Sequence, residues 1–502
     1  MPSIQHLSKS RVLAAMQCPK NLYLKVNNPE LENLDNQTIE TGNRVGEIAR
    51  DVLGTPSGAL VGHDQELHKA IKETTELVAA GDRPIYEATF VYEGVLVRVD
   101  LLIPENTGWQ IVEVKSSGKR SFDKSKKGSK RKSLVADCAI QSWVLKGCNI
   151  PVHSISLALV DNDWAYPGDG NYKGLLTLRD VKSEVEEIEN QVPDWLKIAR
   201  AALTDGIPDA NVGTRCNNPY KCGFWNQCWP VDEEFPVTAL GGPGLVAPLV
   251  NDGIVDVRQV TRDWLDSISG NTTRQRAIKV WECTMSGRQQ IDPAIHDWVA
   301  SLAFPRYYLD FETVGPAIPL WAGSRPYEVT PFQYSIHIEE APGHVTHKEF
   351  LDLSGNEPSR DLALRLINDL RDEGPVLTYS GYEQRIIEGL RNKYPDLAAP
   401  LKDVLSRLVD MMPPITECVL HPEMRGSWSI KYVAPALCPS LSYTDLEEIS
   451  EGSAASEAYI EAISSDVDKD RKEKIREGLS RYCELDTVCM YEIVKVIGKL
   501  RG

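Results

Sequence analysis

Residues 86–104, YEATFVYEGVLVRVDLLIP, and residues 109–117, WQIVEVKSS, alternate apolar with polar side chains and are rich in valine and isoleucine. Both stretches are therefore predicted to be strands. Alternate side chains of a strand share a face, so Glu113 and Lys115 should lie together, and a hairpin would bring Asp100 beside them. We predict that the two carboxylates bind Mg²⁺ or Mn²⁺, hard cations that prefer oxygen ligands, with the lysine at the metal-activated water. The alternative is a solvent-facing hairpin with an ordinary glutamate–lysine pair.

A second pair of acids, Asp310 and Glu312, occurs in the predicted strand RYYLDFETV at residues 306–314. Far downstream, Tyr482 and Asp486 are one turn apart in a predicted helix, so their side chains share a face. Buried carboxylates are costly unless metal ions or protons neutralise them, which makes this strand a candidate metal site. The alternative is that both acids lie at an exposed sheet edge.

The length of 502 residues predicts more than one domain, and 42% hydrophobic with 25% charged residues is ordinary for a soluble protein. The pattern of elements predicts an α/β chain with domains at residues 1–230 and 301–502, joined by a helical connector at 231–300. No apolar run is long enough to cross a bilayer, and the N-terminal segment lacks the features of a secretory signal. We therefore expect a cytoplasmic protein with no membrane partner.

The formal net charge of −17 argues against a surface uniformly adapted to nucleic acid, but not against a local basic channel. One basic stretch, KSSGKRSFDKSKKGSKRK, occupies residues 115–132. It is predicted to be a solvated, mobile loop, and a loop that tracks nucleic-acid phosphates is the functional interpretation. The candidate phosphate contacts are Lys119, Arg120, Lys124, Lys126, Lys127, Lys130, Arg131 and Lys132.

Three of the eleven cysteines, Cys216, Cys222 and Cys228, follow one another in the segment TRCNNPYKCGFWNQCW, and Cys18 lies near the N-terminus. Disulfides are not expected in a reducing cytoplasm. Four thiolates can hold a [4Fe–4S] cluster or Zn²⁺, and the residues themselves leave both open. The alternative, unrelated cysteines in an aromatic turn, is weaker because the intervening proline, glycine and asparagine residues predict an exposed loop.

The arrangement of Asp100, Glu113 and Lys115 resembles the PD-(D/E)XK nucleases, specifically their RecB/Cas4/AddB branch. The resemblance implies a restriction-endonuclease-like domain in which the two acids hold the metal ion and the lysine assists. The cysteine layout is similar to that of the iron–sulfur nucleases of this branch, where one N-terminal cysteine joins three C-terminal ones. This implies a [4Fe–4S] cluster at the four cysteines named above, with Zn²⁺ as the alternative because their spacing is wider.

Two further motifs of this branch occur in altered form. The Gly-x-x-x-His motif of the family matches Gly42 to Gly46 with glycine in place of histidine, so Glu47 becomes the candidate metal ligand. The downstream Gln-x-x-x-Tyr helix matches at Gln141, which the resemblance implies contacts nucleic acid, while Leu145 stands in place of the tyrosine.

The second set of acids resembles the DEDD 3′–5′ exonucleases of the RNase H-like fold, in the subclass with Tyr-x-x-x-Asp in its last motif. The resemblance implies that Tyr482 orients the attacking water beside two metal ions. The third acid of this family is usually aspartate, whereas here a glutamate follows the short predicted strand at residues 375–380. The implied metal ligands are Asp310, Glu312, Glu383 and Asp486.

The order of the two motif sets is similar to that of a bacterial family that couples a Cas4-like nuclease to a domain of unknown function, DUF2779. The resemblance implies a Mg²⁺- or Mn²⁺-dependent nuclease that hydrolyses DNA single strands or ends, in repair, recombination or defence, alongside partner proteins of such a system. The alternatives are an RNA 3′–5′ exonuclease and a nucleic-acid-binding scaffold in which one or both sites are inactive.

Overall fold

The chain folds into two compact units of mixed helices and strands, Met1–Trp229 with Pro316–Tyr327, and Pro230–Gly315 with Glu328–Gly502. Residues 231–300, predicted to be a connector, are grouped with the second unit. Among the described helices, none combines the length and apolar character needed to cross a membrane. The computed structural model describes residues 6–33, 36–54, 57–62, 65–106, 108–124, 128–204, 206–370, 373–443, 446 and 448–499.

The first unit contains seven strands and eight α-helices in its described residues. The strands are β1 (Leu7–Ser8), β2 (Ala59–Leu60), β3 (Ile85–Tyr92), β4 (Val95–Glu105), β5 (Gly108–Gly118), β6 (Val152–Val160) and β7 (Leu176–Asp180). The helices are α1 (Lys9–Gln17), α2 (Pro19–Asn27), α3 (Asn36–Leu53), α4 (Leu67–Ala80), α5 (Lys119–Lys124), α6 (Ser129–Gly147), α7 (Lys182–Ile188) and α8 (Val192–Thr204).

The strands of the first unit form one sheet in the order β2-β3-β4-β5-β6-β7, with β1 also paired to β4. The predicted strands at 86–104 and 109–117 are confirmed as β3, β4 and β5. β4 pairs antiparallel with β3 and with β5. Strand β3 pairs with one edge of β4, and β1 and β5 share the other edge. On that shared edge β1 pairs with Val95 and Leu96, and β5 pairs from Leu101 onward. Between these two pairings the edge of β4 is open, and this opening contains Asp100.

Helix α6 lies against the sheet and supplies much of the core of the first unit, with Ile140 and Val144 fully buried. The prediction of a mobile loop over residues 115–132 is wrong for the residues described. Strand β5 continues to Gly118, α5 follows directly, and α6 begins at Ser129. Phe122 is buried in the same core, so this basic stretch is amphipathic rather than uniformly solvated.

The second unit contains the remaining elements. Its strands are β8 (Gln290–Ile291), β9 (Arg306–Val314), β10 (Thr330–Ala341), β11 (His344–Leu351), β12 (Val376–Thr378), β13 (Leu408–Asp410) and β14 (Val419–Leu420). Its helices are α9 (Pro243–Asn251), α10 (Arg262–Asp266), α11 (Asn271–Ser286), α12 (Ala294–Ser301), α13 (Ser359–Asp369), α14 (Tyr382–Lys393), α15 (Ala398–Ser406), α16 (Met412–Cys418), α17 (Ile430–Leu437), α18 (Gly452–Ala462) and α19 (Lys469–Lys499).

Five strands of the second unit form a mixed sheet in the order β11-β10-β9-β12-β13. β9, β10 and β11 are joined as antiparallel neighbours, while β12 runs parallel to both β9 and β13. The predicted strand at 306–314 is confirmed as β9, the central strand. Because β9 has neighbours on both edges, its acids are not at an exposed sheet edge, and that alternative is wrong.

Helix α19 packs across β9 and β10 and carries the last predicted motif. The predicted helix with Tyr482 and Asp486 is confirmed as α19, and its apolar face includes the buried residues Ile475, Leu479 and Ile493. Helix α13 packs on β10 and buries Leu362 and Leu366 at helical spacing. The acids of β9 therefore face a helix whose sequence lies far downstream.

Candidate metal centres

The first centre forms where β4 and β5 separate. Their antiparallel register runs from Glu105–Gly108 to Leu101–Val112 and would place Asp100 opposite Glu113. The Asp100 carboxylate instead accepts a 2.7 Å hydrogen bond from the backbone N–H of Val114. The structure therefore brings the two predicted acids of the hairpin together.

Two lysines neutralise this acidic cluster. Lys115 donates to Glu113 Oε1 at 2.6 Å and to Asp137 Oδ2 at 2.7 Å. Lys9, the first residue of α1, donates to the two carboxylate oxygens of Glu113 at 2.8 and 2.7 Å and lies 3.4 Å from Asp137 Oδ1. The Glu113 side chain is only 2% exposed, so each of these contacts is shielded from solvent.

The sequence analysis did not identify Lys9 or Asp137 as site residues. Asp137 and Gln141 are one turn apart on α6, and Gln141 Nε2 donates to Glu113 Oε2 at 2.7 Å and to Asp137 Oδ1 at 3.1 Å. Their i,i+4 spacing was the available signal for Asp137. Lys9 had none, because it reaches the site only through the pairing of β1 with β4. Gln141 is fully buried, so in this conformation it holds the acids in position instead of facing solvent.

Burial and like charges dominate the electrostatics of the first centre. Burial, followed by the charges of Asp100 and Asp137, raises the pKa of Glu113 to about 7. Burial favours the neutral amine of Lys9, but the carboxylates of Asp137 and Glu113 outweigh it and hold the pKa of Lys9 above its usual range. The same carboxylates raise the pKa of Lys115, so both lysines are cations that offset the negative charge of the acids.

Glu47, the predicted substitute for the family's histidine, is half exposed on α3 and pairs with Arg44 at 2.9 Å. It does not take part in the hydrogen-bond network around Glu113 described above. The register of β3 and β4 instead places Glu87 opposite Asp100, with a left-handed backbone φ of 57°. Its charge acts on Asp100, which makes it an acid of this region that the sequence analysis missed.

The four predicted cysteines line one cavity at the end of the first unit, between α1, α2 and the segment that follows α8. The structure therefore brings Cys18 together with the three downstream cysteines, as the sequence predicted. The residues are Cys18, Cys216, Cys222 and Cys228.

Several predicted phosphate contacts form ion pairs within the unit. Lys119 pairs with Asp161 at 2.5 Å, Arg120 with Asp163, and Arg131 with Glu184 at 2.6 Å. Lys124, Lys130 and Lys132 belong to the ends of α5 and α6, and Lys126 and Lys127 lie outside the described residues. The ion pairs give Lys119, Arg120 and Arg131 a structural role that the sequence did not reveal.

The second centre forms between β9 and α19. Asp310 and Glu312 project from the same face of β9 as alternate residues, and Tyr482 and Asp486 face them from adjacent turns of the helix. Candidate ligand atoms of Asp310, Glu312 and Cys483 lie within 4.8 Å of one another. The Cys483 sulfur is 4.0 Å from Asp310 Oδ2. Cys483 is fully buried, and the sequence analysis did not identify it as a site residue.

Glu383, the atypical third acid, lies in the first turn of α14, just beyond β12. It is buried and accepts a 3.4 Å hydrogen bond from the Ser380 hydroxyl. Burial raises the pKa of Glu383 to about 7, and its charge in turn acts on Asp310. The structure therefore brings all four predicted acids within electrostatic range of one site.

Burial and mutual repulsion make these acids hard to ionise together. Burial, then the charges of Asp486 and Glu312, raises the pKa of Asp310 well above its usual range. Burial also raises the pKa of Asp486 to about 6, although a 2.5 Å hydrogen bond from the Tyr443 hydroxyl opposes this. Lys431 opposes the shift at both Glu312 and Asp486. Such a site needs protons or added cations to be stable.

Tyr443 and Lys431 were not predicted as site residues. The Lys431 ammonium lies 5.7 Å from the ring centre of Tyr443 and 5.3 Å from that of Tyr482, and it donates to the Ser450 carbonyl at 2.7 Å. Lys431 is the second residue of α17.

Residues 307–429 match the family model of DUF2779, described as a domain of unknown function. The match runs from β9 to Ser429, the residue before α17, and so includes three of the four acids of the second centre but not the helix that carries Asp486. No curated protein matches the chain.

Proposed function

We propose that this chain is a Mg²⁺- or Mn²⁺-dependent nuclease with two hydrolytic centres, one in each unit. The observation that carries the proposal is the second centre, where four acids from β9, α14 and α19 converge, three of them buried and Asp310 partly buried. A divalent ion is the natural counter-charge for such a group, because carboxylates are its preferred ligands. The five-stranded mixed sheet, with its acids on the central strand, supports the RNase H-like interpretation of this unit.

In the second centre, Asp310, Glu312, Glu383 and Asp486 would hold the ions. Bound divalent ions would acidify a water molecule and stabilise the charge that develops on phosphate. Tyr482 is buried beside these acids, and its hydroxyl is the group proposed to orient the water. Tyr443 holds Asp486 in a fixed orientation through its hydrogen bond.

In the first centre, Asp100 and Glu113 would be the metal ligands, and the open edge of β4 supports the PD-(D/E)XK interpretation. Lys115 already contacts Glu113, so its ammonium lies where it can act on a phosphate or water held by that carboxylate. Asp137 and Gln141 fix the lysine and the glutamate from α6. These residues position the reacting groups and exclude bulk water.

The cysteine cavity would hold a [4Fe–4S] cluster that ties the N-terminal helices to the segment after α8. Four cysteines lining one cavity are the observation that supports a metal cluster here. We assign the cluster a structural role, because it joins two distant parts of the first unit around the β-sheet.

A second candidate function has one supporting observation. In the first centre, Glu113 is already satisfied by two lysines and Gln141, so this unit would bind nucleic acid without cleaving it. On this view only the second centre is hydrolytic.

The test is degradation of matched, 5′-labelled DNA and RNA single strands by the anaerobically purified chain with Mn²⁺. We expect Asp100→Ala to remove one activity and Asp310→Ala another, with DNA the preferred strand. The exposed acids Asp194 and Asp361 provide matched alanine controls in each unit. Equal cleavage by the parent, both single variants and the double variant would refute the assignment. Loss with Asp310→Ala alone would favour the second candidate.

A further inference from the structure

A groove lies beside the first centre that none of the predicted motifs explains. It is bounded by α1, α2, the first turn of α6 and the segment from Arg215 to Gly223, and it has a volume of about 490 Å³. Its basic lining residues are Lys25, Lys132, Arg215 and Lys221. In a chain with a net charge of −17, a groove with several cations is a local exception.

Most of this positive charge is available to a ligand. Lys25 is paired with Glu32, which also lines the groove, at 2.5 Å. Within the part of the chain that the structure describes, no carboxylate lies within 4.0 Å of the charged nitrogens of Lys132, Arg215 or Lys221. These three cations can therefore meet phosphate groups without first giving up an ion pair.

Tyr220 adds an aromatic surface to the groove. Tyr220 lines the groove and is 49% exposed, so its ring is accessible to a ligand. The Lys130 ammonium lies 5.5 Å from its ring centre. Ser10, the neighbour of Lys9, and Ser133, one turn of α6 before Asp137, line the same groove. The groove that contains the ring therefore adjoins the first centre.

The backbone that carries Tyr220 is held in place from both sides. Gln17 of α1 donates from Nε2 to the carbonyls of Arg215 and Tyr220 at 3.0 and 2.8 Å. Within the segment, the N–H of Cys222 donates to the carbonyl of Cys216 at 2.8 Å. The exposed ring is thus presented by a fixed backbone, as a stacking surface for a ligand requires.

We infer that this groove is the path by which a single strand of nucleic acid reaches the first centre, with Tyr220 stacking against an unpaired base. Basic residues that follow the phosphates and an aromatic ring that meets a base are the two elements of single-strand binding. A duplex would not use the ring, because its bases are already stacked on one another. The inference rests on the proposed function, since it supplies the substrate path to that centre.

The test is fluorescence-anisotropy binding of a labelled oligo(dT) strand to the full chain without divalent ions, so that cleavage does not interfere. We expect Tyr220→Ala to raise Kd by about 10-fold, the order of one lost base stack, while Tyr220→Trp and Tyr220→Phe bind like the parent. The control is Ile207→Ala, which removes another exposed apolar side chain of the same unit. Circular dichroism and iron content show whether each variant is folded.

The basic residues are tested by salt. Lys132→Ala combined with Lys221→Ala should lower the slope of log Kd against log salt by about 1.4, since a single strand releases about 0.7 counterions per phosphate contact. The exposed pair Lys72 and Lys197 is the matched control.

The inference is overturned if Tyr220→Ala binds like the parent, if Tyr220→Phe is as weak as Tyr220→Ala, or if a duplex of equal length loses affinity to the same degree. A parent that cleaves but shows any of these results retains its proposed function and loses only this path. A parent that neither binds nor cleaves a strand contradicts both.

Discussion

Lys9 donates hydrogen bonds of 2.8 and 2.7 Å to the two carboxylate oxygens of Glu113, although the residues are 104 positions apart. The contact joins the first helix of the chain to the centre of the first sheet. Lys115 and Gln141 bind the same carboxylate, so Glu113 is surrounded by donors in a site almost closed to water. An ion pair of this kind is costly to break from one side only.

Lys9→Met should destabilise the first unit, because it leaves Glu113 and Asp137 buried with one cation fewer. We expect a loss of about 2 kcal/mol, below the full value for a lone buried pair because Lys115 remains. Tryptophan fluorescence during urea unfolding measures it. Glu113→Gln in the same chain should recover part of the loss. Lys72→Met, at a position 78% exposed, is the control, and an equally small effect of both lysine variants would contradict the account.

Asp486→Asn should stabilise the metal-free protein at pH 7.5. The pKa of Asp486 is raised to about 6, so above that pH the folded chain must hold a buried anion that the unfolded chain holds in water. Removing that charge should be worth about 1 to 3 kcal/mol. Thermal unfolding in EDTA measures the gain, and Asp361→Asn is the exposed control. A fall in the thermal midpoint would show that the acid is stabilised by something other than protons or metal.

The stabilisation that Mn²⁺ confers should depend on pH. The raised pKa values of Asp486, about 6, and Glu383, about 7, mean that the folded chain binds more protons than the unfolded chain between about pH 4 and pH 7. Stability from these groups is therefore present at low pH and is lost as pH rises through this window. Metal ions replace the missing protons only at higher pH.

The measurement is the Mn²⁺-induced shift in thermal midpoint relative to EDTA, taken at pH 5.5 and pH 7.5. We expect the larger shift at pH 7.5, and we expect the difference to disappear when Asp310 and Asp486 are both changed to asparagine. A shift that is equal at both pH values, or larger at pH 5.5, would mean that these acids do not hold the ion.

Anaerobically purified protein should be brown and absorb near ~400 nm, with iron in place of zinc. Cys222→Ala should remove the absorption and the iron, because this residue is one of the four that line the cavity. Cys418→Ala, at a partly exposed cysteine of the second unit, should leave both unchanged. Stoichiometric zinc in a colourless parent protein would reverse the assignment.

Local patterns in the sequence were sufficient to predict the hairpin of the first centre and the elements β9 and α19 of the second. Alternation placed Glu113 beside Lys115, and helical spacing placed Tyr482 and Asp486 on one face. Both are short-range rules. The same rule applied to α6 would have found Asp137 from its spacing to Gln141.

The remaining site residues depend on long-range packing, which no local pattern encodes. Lys9 arrives through a two-residue strand, and Tyr443 reaches Asp486 from a segment without regular structure. For the basic stretch at 115–132 the prediction of a loop was wrong, because it considered only the charge of the residues. Burial of Phe122 beneath the Arg131 guanidinium, 3.9 Å from its ring centre, instead organises it around two helices.

The central claim is that the buried acids of the two centres hold divalent ions, and direct counting of bound Mn²⁺ tests it. The electron paramagnetic resonance signal of free Mn²⁺ at room temperature shows how much of the added Mn²⁺ is bound. It is compared between the parent and a chain with both Asp100→Ala and Asp310→Ala. We predict saturable binding by the parent and only weak, non-saturating binding by the double variant. A parent that leaves as much free Mn²⁺ as the double variant would contradict the account.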